Sequence, residues 1–128
     1  MIKSIVFLML LMCFASGADL FPQEIEKQIK FKKGESSAVI AGSLQLGEEI
    51  SYILKANKDQ KMVVTISSTE DNAVFRIKDR SSRYYLDGAT ELDDAVSWKG
   101  SLPSDGEYKI VVGGITGNED YKLKVFIE

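Results

Sequence analysis

The sequence predicts an all-β protein, a single-domain antiparallel β-sandwich of about eight strands. Three observations point there. Apolar residues recur with period two in window after window, the pattern of strands with one wet face. Turn-forming residues separate those windows at close to the rhythm of sandwiches and barrels. No window carries the apolar stripe of an amphipathic helix.

Taken in order, residues 1–17 read as a secretory signal peptide. Lys3 supplies the positive start, Ile5 to Phe14 form an apolar run of ten, and Ala15-Ser16-Gly17-Ala18 offers a small-residue cleavage site after Gly17. The run is shorter than the ~20 residues that a membrane helix needs. Leu10-Leu11-Met12-Cys13 has the outline of a lipobox, but Met12 is larger than the small residue that normally precedes a lipidated cysteine. Anchoring through Cys13 is therefore the lesser reading. Residues 18–27, with Pro22 and little periodicity, read as an N-terminal arm before a β-sandwich domain over 28–128.

Within that domain strands are expected over 28–33, 37–45, 49–56, 61–68, 73–78, 95–101, 107–113 and 120–127. Ile50, Tyr52 and Leu54 share one strand face; Met62, Val64 and Ile66 a second; Tyr108, Ile110 and Val112 a third; Tyr121, Leu123, Val125 and Ile127 a fourth. The longest irregular piece is 79–94, where Arg80, Arg83, Tyr84 and Tyr85 stand beside Asp87, Glu91, Asp93 and Asp94. A long loop in a small β domain is more often functional than a short one. The plain alternative is a solvated connection with its own small cluster.

Composition excludes much chemistry. Cys13 is the only cysteine and leaves with the signal peptide, and there is no histidine. This removes Cys and His nucleophiles, the Ser-His-Asp triad, histidine metal sites and disulfides. The formal net charge of −3 becomes one unit more negative once Lys3 is gone. That argues against nucleic acid and fits a solvated exported protein, or one that meets a basic partner. The acidic pairs Glu48-Glu49 and Asp93-Asp94 form no dyad by themselves, since strand neighbours point to opposite faces. Gly117-Asn118-Glu119-Asp120 offers oxygens without the residue order of a calcium loop. Arg76, Lys78 and Arg80 share a strand face if the strand reaches residue 80, and with Arg83 they read equally as an anionic-ligand patch or a wet face. Trp98, in parity with Val96, reads as core rather than as a sugar platform. No catalytic residue, metal or cofactor is expected.

One stretch, Ser101 to Ile110, combines a turn with a strand start. Pro103 ends the preceding strand because it donates no ladder hydrogen bond, and Asp105-Gly106 supplies a tight turn. Tyr108 opens the next alternation, so its ring is expected to point into the core with its hydroxyl on a backbone partner. That leaves Ser104-Asp105-Gly106-Glu107 free to touch a partner.

Three blocks carry a resemblance: Phe31-Lys32-Lys33-Gly34-Glu35-Ser36-Ser37-Ala38, the segment from Ala56 to Ser67, and Ser101-Leu102-Pro103-Ser104-Asp105-Gly106-Glu107-Tyr108. Through them the chain resembles the bacterial periplasmic inhibitors of g-type (goose-type) lysozyme, and more distantly the pre-peptidase C-terminal type of β-sandwich. The resemblance implies a periplasmic, non-enzymatic sandwich that blocks the lysozyme substrate cleft by stoichiometric binding. The second block looks like the family's central hairpin. The third looks like the block holding its Ser-Gly-x-Tyr motif. Gly106 and Tyr108 match that motif, Asp105 stands where the family has serine, and Ser104 lies one place early. The expected partner-binding residues are Ser104, Asp105, Gly106, Glu107 and Tyr108 of this block, with Arg83 and Tyr84 added from the long loop; residues 79–94 look longer than in the family, so no family contact is carried over to them. The other reading is a carbohydrate- or peptidoglycan-binding accessory module, which needs an exposed platform of Trp98, Tyr84 and Tyr85.

Overall fold

A computed structural model describes residues 25–115 and 117–128. The expected signal peptide, Cys13 and most of the expected arm lie outside the described residues. Eight strands form: β1 (Ile25–Gln28), β2 (Ser37–Leu44), β3 (Glu49–Ala56), β4 (Lys61–Ser68), β5 (Ala73–Asp79), β6 (Ser97–Ser101), β7 (Gly106–Gly114) and β8 (Glu119–Ile127). They build two four-stranded sheets, ordered β1-β3-β7-β5 and β2-β8-β4-β6. Odd strands make one sheet and even strands the other, so every connection crosses between sheets. All ladders are antiparallel except β1 with β3, a short parallel edge.

Period two decides which side chains meet. Tyr52, Leu54, Phe75, Ile77, Tyr108, Ile110 and Val112 of the first sheet pack against Leu44, Met62, Val64, Leu123 and Val125 of the second, all buried. Each such side chain contributes roughly 1.5–3 kcal/mol when taken from water. The core also holds a polar link between sheets: the Tyr52 and Tyr121 hydroxyls lie 2.5 Å apart. Burial, together with the hydrogen bond to Tyr52, pushes the Tyr121 phenol far above its ordinary pKa. Tyr121 faces Gly42 across the β2–β8 ladder, where a Cβ would run into its ring.

Three expectations need correction. The first strand is Ile25–Gln28, not 28–33. The next residues alternate because Ile29 is buried and Phe31 packs against the core while the chain crosses to the other sheet. Alternation there reports burial without a ladder. Residues 95–96 likewise sit in a crossing rather than in the sixth strand: Ala95 O accepts from Phe75 N in one sheet, and Val96 O from Ile66 N in the other. Val96 is therefore exposed, and its parity with Trp98 predicts nothing about the indole. Finally, the turn at 57–60 is not a hairpin. It is an arch, since β3 and β4 belong to different sheets.

The long loop has a structural role. After β5 the chain folds back along that strand's free edge, with Leu86 N on Ile77 O, Ile77 N on Ala89 O and Phe75 N on Ala95 O. Leu86, Ala89 and Ala95 join the core. The loop thus satisfies an edge that would otherwise invite pairing with another chain.

Candidate partner-binding site

Because every connection crosses between sheets, loops gather at the two ends of the sandwich. One end collects the 57–60 arch, the 80–84 loop after β5 and the 102–105 turn between β6 and β7. These three are stitched together by backbone. Asp59 N donates to Leu102 O and Leu102 N to Gln60 O. Arg80 N donates to Glu107 O. Inside the 80–84 loop, Arg83 N reaches Asp79 O and Asp79 N reaches Tyr84 O.

The residues singled out in the sequence meet here in three different settings. Asp105, Arg83 and Tyr84 are exposed, Tyr84 to 78%. Ser104, Gly106 and Glu107 are half-buried. Tyr108 is wholly buried, 0% exposed, and touches the turn only through its hydroxyl. That hydroxyl donates to Ser104 O at 2.7 Å and accepts from Ser104 N at 3.1 Å. The expected buried ring with a backbone-bonded hydroxyl is what forms, and it resembles the tyrosine corner of other sandwiches. Asp105 is not idle either: its Oδ1 accepts from Lys58 N at 2.7 Å and caps the arch. Gly106 has φ +137°, a conformation that side chains rarely adopt, so the turn requires glycine there. Glu107 lies 3.7 Å from Arg80, a half-exposed pair of little energetic weight.

Beneath the turn sits a carboxylate that the sequence reading passed over. Asp79 is 2% exposed. Its Oδ1 accepts from Ser81 N (3.0 Å) and Ser81 Oγ (2.7 Å), and its Oδ2 accepts from Ser104 Oγ (2.7 Å). Burial works to raise its pKa, but the hydrogen bonds from Ser104 and Ser81 outweigh it and hold the carboxyl below its ordinary value. A signal was present: Ala73, Phe75, Ile77 and Asp79 share one parity, so an inward-facing aspartate was readable from the alternation.

The turn stands between two shallow clefts. One, of about 470 Å³, is lined among others by Tyr84, Tyr85, Trp98, Pro103 and Ser104. The other, of about 500 Å³, runs along Lys55, Asn57, Gln60, Gly106 and Glu107. Of the aromatic residues of the first cleft, Tyr84 is open to solvent while Trp98 and Tyr85 are half-buried and engaged by neighbours. The Trp98 indole rests over Gly100 and donates to Asp87 O at 2.8 Å. Lys78 Nζ lies over the Tyr85 ring, 5.6 Å from its centroid, and Tyr85 Oη donates to Glu91.

Other candidate groups are dispersed. Arg76 pairs with Glu49 at 2.6 Å, Lys78 with the Tyr85 ring and Arg80 with Glu107, so the cations form no common patch. In the 117–120 turn, Asn118 Oδ1 accepts from Leu46 N, Glu119 Oε1 from Glu70 N and Asp120 Oδ1 from Ser43 Oγ. Among the described residues no group of three or more His, Cys, Asp or Glu is placed to hold a metal ion. Nor is any helix among them long and apolar enough to cross a membrane.

No family model matches the chain, and no curated protein does. Solved structures do. The chain is similar to PliG of Aeromonas hydrophila, a periplasmic inhibitor of g-type lysozyme, at 27% identity and a TM-score of 0.71, over 83% of this chain and 98% of that one. It is similar to a mutant of Escherichia coli PliG, likewise a periplasmic inhibitor of g-type lysozyme, at 25% identity and a TM-score of 0.65, over 83% and 100%. It shares its fold with the pre-peptidase C-terminal domain of a Bacillus anthracis collagenase, at 16% identity and a TM-score of 0.62, over 82% and 98%. These are the two groups that the sequence blocks resembled.

Proposed function

We propose that this protein is an exported inhibitor of g-type lysozyme, acting in the periplasm by stoichiometric occlusion of the enzyme's substrate cleft. The observation that carries the reading is the likeness to the A. hydrophila inhibitor over 98% of that chain's length. The geometry supports the same reading. A partly exposed turn flanked by two clefts offers a contact surface for the rim of a groove, and a turn already hydrogen-bonded to its neighbours loses little freedom on binding. Asp105 presents a charge suited to hydrogen-bond donors of a basic cleft, and the acidic chain favours rapid encounter with a cationic enzyme at low salt. Arg83 and Tyr84 are the residue types that most often anchor interfaces.

The test is lysis of peptidoglycan by g-type, c-type and i-type lysozymes, followed by turbidity as the mature protein is titrated in. Loss of g-type activity at about one equivalent is expected. Inhibition of none of the three would end this reading. Tyr84→Ala, a change at an exposed side chain, is expected to weaken inhibition by about tenfold or more with Tm unchanged; full inhibition by that variant would remove the 80–84 loop from the contact.

A further inference from the structure

Asp79 is a buried carboxylate with no cationic partner among the described residues, a costly arrangement unless its hydrogen bonds are met. They are met by two different loops: Ser81 in the 80–84 loop and Ser104 in the 102–105 turn. The two serine hydroxyls also lie 3.0 Å apart. Asp79 stands directly opposite Tyr108 in the β5–β7 register, so carboxylate and phenol grip Ser104 together. Ser104 gives its backbone N–H and C=O to Tyr108 and its hydroxyl to Asp79. Its side chain therefore turns into the molecule, away from any partner.

We infer that Asp79 is the positioning residue of the contact surface: its carboxylate locks the 80–84 loop and the 102–105 turn into one fixed relation before the partner arrives. Ser104 then serves as support, and the outward contacts fall to Asp105, Arg83 and Tyr84. The inference rests on the inhibitor reading and adds a residue that makes no contact of its own. Without Asp79 the Arg80 N–Glu107 O bond and the Tyr108 hydroxyl still hold the backbone, but the side-chain tie between the 80–84 loop and the 102–105 turn is gone, and binding must fix their relation at a cost in affinity.

The test measures the inhibition constant against g-type lysozyme well below Tm, together with amide hydrogen exchange at Ser104 and Asp105, for wild type, Asp79→Ala and Asp79→Asn. Asp79→Ala is expected to inhibit roughly tenfold more weakly while folded, and to exchange faster than wild type at Ser104 and Asp105 while β7 exchanges as in wild type. Asp79→Asn keeps one acceptor oxygen for Ser81 and offers its amide to the Ser104 hydroxyl, so it is expected to recover most of the loss. A purely structural aspartate would lower Tm and leave the folded protein's inhibition constant unchanged, which overturns the proposal but not the inhibitor reading. Should Asp79→Ala not fold, Ser81→Ala at the exposed edge of the network takes its place; wild-type inhibition and exchange in that variant likewise overturn it. A wild-type protein that inhibits no g-type lysozyme overturns both.

Discussion

At Tyr108 the ring and the hydroxyl do separable work. The ring fills the core at 0% exposure, and the hydroxyl closes the turn by bonding both backbone groups of Ser104. Tyr108→Phe keeps the ring and strands those groups, at a cost of about 1–3 kcal/mol. Tyr108→Ala adds a cavity and costs about 3–5 kcal/mol. Thermal unfolding of both variants checks the split, and equal losses would mean the hydroxyl is all that matters. Asp79 predicts a pH dependence. Its folded pKa lies below its unfolded value, so its stabilisation is whole above the unfolded pKa of ~3.9 and is lost as pH falls through the folded pKa. The Tm advantage of wild type over Asp79→Asn should hold from about pH 7 to 5 and shrink as pH drops below about 3.9. An advantage that grows on acidification would contradict the hydrogen-bond account.

For β5, stability depends on what covers its outer edge. The returning loop satisfies Phe75 N and Ile77 N through Ala95 O and Ala89 O, and it tucks Ala89, at 0% exposure, into the core. Ala89→Asp places an unpaired charge there, at ~3 kcal/mol or more, and peels the loop away. The bared edge should then pair between molecules, seen as concentration-dependent light scattering well below the wild-type Tm. Loss of stability without any scattering would show that the loop packs the core but does not guard the edge. The length of the 79–96 segment is explained by this return path, and only its first turn contributes to the candidate site.

Over the molecule as a whole, strict alternation of strands between sheets means that no two consecutive strands pair. Every ladder closes a long loop of chain, and loop closure must precede the contacts that reward it. Folding is expected on the slow side for a domain of this size, in milliseconds to seconds. Stopped-flow refolding followed by Trp98 fluorescence measures it; a microsecond phase carrying the full amplitude would be inconsistent with this topology. The same alternation is why three loops from distant parts of the sequence arrive at one end and form a surface.

Much of this was already settled in the sequence. Seven of the eight strands lie within two or three residues of where period two places them, because alternation is a local property that survives any pairing. Tyr108 was legible as buried and bonded, and the 101–108 block pointed to the inhibitor fold. The sheet partners, the arch at 57–60 and the edge-covering return of the long loop were not legible, since they depend on which distant strands pair. The grip of Asp79 on Ser104 belongs to the same class. Its inward parity was written in the sequence, but its partner lies 25 residues away and is brought there only by β7 pairing with β5. Local periodicity determined the elements; long-range hydrogen bonding decided which of them meet, and so which side chains face a partner and which stand behind those that do.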